Sequence, residues 1–142
     1  MTAKEYLMQY KLMKTRIKNA EDSLAELRET RASISINLDG MPRGSSLSDR
    51  TAALAVQLAD AETEILQLRS AAWSVCMEIV RKINKLEDPS EVRLLHLRYI
   101  ECLTWERIAV EMGFTYQWVA GPLHGRALQS MEKVLQTGGR ND

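Results

Sequence analysis

The sequence predicts an all-α fold, with a long antiparallel helical hairpin over residues 1–87, three shorter helices over 88–136 and a frayed tail at 137–142. Three observations carry this prediction. Apolar residues recur at alternating spacings of four and three over two long stretches. Breaks rich in Gly, Pro and Ser bound those stretches. Elsewhere Gly and Pro are scarce, at 7 and 3 among 142 residues, while hydrophobic residues make up 45 % and charged residues 27 %. That balance suits a folded, helix-rich chain rather than a disordered one.

The first helix follows from Tyr6, Tyr10, Met13, Ile17, Ala20, Leu24, Leu27, Arg31, Ile34 and Leu38. Their four-three spacing is a heptad seam interrupted only by Arg31, and the residues between them are mostly charged. Arg31 would either set register and oligomeric state or extend its head to solvent. The stretch 39–48, DGMPRGSSLS, ends the helix, with Ser48 or Asp49 expected to cap the next one. Leu54, Leu58, Ala61, Ile65, Leu68, Ala72, Val75 and Ile79 repeat the spacing, and the stripe then shifts to Ile83 and Leu86. Trp73, Met77 and Val80 add a second apolar face near that end, so it is expected to pack on the C-terminal helices. Two seams of matching length joined by a short break form an antiparallel hairpin. Its seam is narrow, and a second copy pairing with it would complete a four-helix bundle.

Asp88-Pro89 marks the next boundary, because proline disfavours helix in the residue before it and suits the first position of a new one. The third helix is expected to start at Ser90 and reach Cys102. The stretch 103–119, LTWERIAVEMGFTYQWV, carries the densest pattern. Thr104 caps a helix, with Arg107 in place of the Glu of a capping box. Ile108 and Ala109 face inward, and Ala109 is small where a second helix crosses closely. Gly113 permits the left-handed turn and Phe114 plugs it. Thr115 caps the following helix and Val119 anchors it. A small residue, Gly four positions later and a β-branched residue ten positions later is the internal geometry of a helix-turn-helix, whose second helix offers its early exposed residues to the major groove. Ile108, Ala109, Gly113 and Val119 are therefore its core.

Polarity points the same way. No acidic residue occurs from Met112 to Met131. Thr104, Arg107, Thr115, Tyr116, Gln117, Ala120, His124 and Arg126 are the expected DNA-facing residues. Thr and Tyr reach phosphate, and Gln pairs bidentately with adenine. Arg93, Arg98 and Arg107 are further candidates for phosphate contact. Against this, 19 basic and 19 acidic residues leave no net charge to favour a polyanion. The competing readings are an αα-hairpin within an ordinary bundle, with no DNA role, and an adaptor that grips RNA polymerase or an inhibitor without touching DNA.

The run 91–100, EVRLLHLRYI, with LTWERIA at 103–109 and MGFT at 112–115, resembles sigma-factor region 4 and, more narrowly, the ArpU-type phage transcriptional regulators. The likeness extends to the MPRGS turn at 41–45 and the KLEDP junction at 85–89. The resemblance implies a phage- or prophage-encoded regulator of late packaging and lysis genes; double-stranded DNA is the expected partner, with the N-terminal hairpin as a dimerisation or RNA-polymerase-docking arm. The pattern departs at Ala120-Gly121-Pro122, which is one residue longer than the family run. A proline there clashes with the carbonyl four residues back, so the helix is expected to kink or divide near Gly121. Small terminase subunits also join a helix-turn-helix to an oligomerising hairpin, which makes DNA packaging the alternative.

The remaining features are expected to be structural. Trp73, Trp105 and Trp118 read as packing residues, and His96 as a satisfied core histidine. Cys76 and Cys102 lack the spacing of a zinc site or disulfide framework. Phosphate loops, nucleophile elbows and metal-ligand pairs are absent, so neither enzymatic activity nor a cofactor is expected. Apolar runs fall short of a membrane span and no signal core opens the chain, which predicts a cytoplasmic location, while the N-terminal hairpin is expected to pair in a homodimer.

Overall fold

A computed structural model describes residues 1–37 and 45–138. The described residues are all-helical and contain no strand. Helix α1 spans Ala3–Asn37 and α2 spans Ser45–Ile83. Helix α3, Pro89–Leu95, continues into a π-wound stretch, His96–Ile100. Helix α4 is Trp105–Met112. A further helix opens with α5, Tyr116–Trp118, winds as π over Val119–Leu123 and closes as α6, His124–Gly138.

The described residues form two packing units. One comprises Lys14–Ala71 of α1 and α2; the other joins Met1–Met13 to the chain from Ala72 onward. The grouping therefore cuts across both long helices, whereas the sequence reading divides the chain at 87–88. Inside the first unit Leu24, Leu54, Leu58 and Ile65 are buried against one another. Ion pairs flank them, Glu21 with Arg69 at 2.7 Å and Arg28 with Glu62 at 3.3 Å, linking α1 and α2 in opposite chain order. Arg31 is exposed.

The second unit holds the larger core. Ala3 and Leu7 of α1, Ile79 and Ile83 of α2, and Leu94, Leu95, Leu97, Tyr99, Ile108, Val119, Leu123, Ala127 and Met131 are buried together. Each large aliphatic side chain so placed contributes about 1.5–3 kcal/mol. The end of α2 does pack on the C-terminal helices, though not through the face the sequence suggested. Cys76, Ile79 and Ile83 fall three and four apart and make one inward stripe. Trp73 and Met77 lie one residue on from Ala72 and Cys76, a rotation of ~100° that turns them to solvent. Trp73 is consequently 66 % exposed and is not a packing residue.

Local chemistry sets the helix ends. Asp88 caps α3, its carboxylate accepting from the Ser90 N–H at 2.8 Å, with Pro89 in the first turn. The winding change at the other end of α3 is visible in Glu101, whose N–H donates to the carbonyl of His96 five residues back at 3.0 Å. Cys102 then turns the chain at φ 59°, the left-handed region, without being glycine. Helix α2 begins at Ser45, so Ser48 and Asp49 lie inside it instead of capping it. The helix-breaking Gly40, Pro42 and Gly44 all precede that point, and nothing in Ser45–Ser48 forbids helix. Residues 38–44, with Leu38 and most of the expected break, lie outside the described residues, as do 139–142. The tail expected to fray at Thr137 is still helical through Gly138.

Candidate nucleic-acid interface

The turn between α4 and α5 is built from backbone hydrogen bonds and two capping hydroxyls. The Thr104 hydroxyl accepts from the Arg107 N–H at 3.3 Å and opens α4. Helix α4 closes in a Schellman arrangement: the Phe114 N–H donates to Ala109 at 3.1 Å and the Gly113 N–H to Val110 at 3.3 Å. That geometry needs a left-handed residue, supplied by Gly113 at φ 70°. The Thr115 hydroxyl then accepts from the Trp118 N–H at 3.2 Å and opens α5. Ile108 and Val119 are fully buried and Ala109 packs against the same core. Of the four residues read from sequence as the core of the turn, Ile108 and Val119 are thus buried, Ala109 is half-buried and Gly113 is left-handed.

With Val119 held inward, Thr115, Tyr116 and Gln117 face solvent and Ala120 is half-buried. Tyr116 is 45 % exposed, and neither it nor Gln117 has a side-chain hydrogen-bond partner among the described residues. The chain does not divide at Gly121-Pro122. It stays helical and changes winding to π over Val119–Leu123. A π turn admits one extra residue and widens the helix, which gives the pyrrolidine ring room against the preceding turn. Pro122 thus lies inside the π-wound stretch.

The basic side chains are less available than their sequence positions suggest. Arg107 pairs with Glu111 at 3.3 Å, and Arg126 lies 3.7 Å from Asp88. Asp88 is far away in sequence, so the acid-free run 112–131 is not acid-free in space. Arg98 lies 4.3 Å over the Trp105 ring and donates to the Leu103 carbonyl at 3.0 Å. Trp105 is half-buried as a packing residue, while Trp118 is 38 % exposed and Phe114 is also exposed rather than sealed beneath the turn.

His124, expected at the DNA face, is engaged inside the unit. Its Nε2 lies 2.7 Å from the Tyr99 hydroxyl, its ring stacks on Tyr99, and the Trp105 ring meets it edge-on at 4.7 Å. Burial drives its pKa down from 6.5 to about 4, helped by the positive charges of Lys4 and Arg98. A neutral imidazole is the form this pocket holds, with no charge to offer a phosphate. His96 is half-exposed and 3.7 Å from Glu101, not a core histidine.

Sequence reasoning missed two features. Glu91 is buried, and both carboxylate oxygens accept from the Ser130 hydroxyl, at 3.1 and 3.0 Å. An open groove of about 510 Å³ runs beside the turn, lined by Asp88, Ser90, Gly113, Phe114, Thr115, Trp118, Leu123 and Arg126. The spacing of Phe114 and Trp118, four residues apart across a capped turn, was the available signal for it. No group of three or more His, Cys, Asp or Glu residues able to hold a metal occurs among the described residues. None of their helices is long and apolar enough to cross a membrane. No family model, curated protein or solved structure matches the chain.

Proposed function

We propose that this chain is a DNA-binding transcriptional regulator in which α1 and α2 form an antiparallel hairpin for dimerisation or polymerase docking, and α3 to α6 form a helix-turn-helix unit. The observation that carries the reading is the turn itself. A left-handed Gly113 between two Thr-capped helices, with Ile108 and Val119 buried, leaves Tyr116 and Gln117 exposed and without side-chain partners among the described residues at the start of the second helix, next to the capping Thr115. That is the placement a recognition helix requires. The resemblance to sigma region 4 and the ArpU-type regulators narrows the proposal to control of phage late genes.

A second reading has its own support. Arg107 and Arg126 face acids, Arg98 lies on Trp105, and Val110 is 79 % exposed beside exposed Phe114 and Trp118. An apolar rim with neutralised arginines suits an adaptor that grips RNA polymerase better than it suits a phosphate surface.

Fluorescence anisotropy on the full chain, with a phage-type late promoter duplex and a random duplex from 25 to 300 mM salt, decides between them. The DNA reading expects binding at low salt with a shallow dependence, a log–log slope of about −2 to −4, because few cations are free to replace counterions. No binding to either duplex at the lowest salt rejects it and leaves the adaptor, tested by co-purification with RNA polymerase. Mass in solution separates a dimer from a terminase-like ring.

A further inference from the structure

The side chains that open α5 also say which bases they suit. From Thr115 to Gly125 the sequence TYQWVAGPLHG contains no Lys or Arg. Arg and Lys are the side chains that read guanine O6 and N7. The nearest cation, Arg126, lies beside Asp88. What remains on the exposed surface is one amide, Gln117, flanked by the Tyr116 ring and the half-buried Ala120 methyl. Gln117 has no side-chain hydrogen bond among the described residues, so its amide has both a donor and an acceptor available.

An amide of this kind matches adenine, which presents N7 as acceptor and N6–H₂ as donor in the major groove. The partner base, thymine, presents a C5-methyl that apolar side chains contact and that no other base pair carries. Adjacent amide and apolar groups on one helix start are complementary to an A·T pair. At guanine, whose O6 and N7 are both acceptors, only the NH₂ of the amide can serve and its oxygen is left unused, so the match is poorer. The groove lined by Phe114 and Trp118 includes neither Tyr116 nor Gln117, so it belongs to a different part of the surface.

Resting on the DNA-binding reading, we infer that this helix selects A·T pairs, with Gln117 reading adenine and Tyr116 and Ala120 taking the thymine methyl. Specificity then comes from one bidentate amide and from methyl burial, without a guanine contact.

The test is selection from a random-core duplex pool by the full chain at low salt, followed by binding to the enriched duplexes made with thymine or with deoxyuridine. Deoxyuridine removes only the C5-methyl. The expected result is enrichment of A·T steps, with affinity falling about three- to fivefold for each contacted methyl removed. Gln117→Ala is expected to erase about tenfold of adenine preference, and Gln117→Glu to move the preference toward cytosine, whose N4 donates to a carboxylate. Gln117 is exposed, so these variants keep the fold, and circular dichroism checks it. Duplexes enriched in G·C, or indifference to deoxyuridine, overturn this inference while leaving DNA binding intact. Retention of no duplex overturns both.

Discussion

His124 supplies a titration that reports directly on the packing of the C-terminal helices. Its imidazole is held against Tyr99 and Trp105, and its pKa falls from 6.5 to about 4, first through burial and then through Lys4 and Arg98. In the unfolded chain the ring takes up a proton near pH 6.5; in the folded chain it resists until about pH 4. The unfolded state therefore binds more protons between these values, and stability falls as pH drops from 6.5 to 4 and is level on either side. At about 1.4 kcal/mol for each tenfold change in proton affinity, the limit is about 3 kcal/mol. Solvent screening around a half-buried ring reduces this to about 1–2 kcal/mol. Urea unfolding at pH 7.5 and pH 4.5 measures it, with His124→Gln as reference because the amide can still hydrogen-bond the Tyr99 hydroxyl but does not titrate. The wild type is expected to lose about 1–2 kcal/mol more than the variant, since the carboxylates titrate alike in both. NMR of the His124 ring, assigned apart from His96, gives the folded pKa. A value at or above 6.5, or equal losses in the two proteins, refutes the reasoning.

Substituting two glycines by alanine should have opposite effects. Gly113→Ala forces a side chain into φ 70° and is expected to cost about 1–2 kcal/mol. Gly125→Ala, where an added Cβ meets nothing within 4 Å in an α-helix, is expected to stabilise by about 0.5–1 kcal/mol. Denaturant midpoints moving in the same direction for both would contradict the turn geometry. Ile108→Ala, at a fully buried site, should cost about 2–5 kcal/mol, and a loss below 1 kcal/mol would mean that α4 does not seat in the core. Arg69→Ala breaks a pair whose side chains are 57 % and 38 % exposed, so it should change stability by less than about 1 kcal/mol at 0.15 M salt. A larger loss would show that the Glu21 contact is shielded from water.

Much of this protein was legible in the chain alone, because the relevant forces act over a few residues. The heptad seams, the Asp88-Pro89 boundary, the Thr104 and Thr115 caps and the left-handed Gly113 follow from side-chain spacing and backbone sterics within one or two turns. The burial of Ile108 and Val119 follows from the same periodicity. Other features depend on neighbours distant in sequence, and only the tertiary structure decided them. Asp88 comes beside Arg126, Tyr99 takes the His124 ring, and Ser130 satisfies Glu91. Those contacts alter charge and exposure without leaving a local pattern. Trp73 shows the same limit from the other side: an apolar residue reads as core in any sequence, but its orientation depends on which stripe of α2 the neighbouring helices cover. Proline chemistry signalled disturbance at Gly121-Pro122. The outcome is a π turn with Val119 and Leu123 buried at its two ends, so the helix stays intact while its winding accommodates the proline.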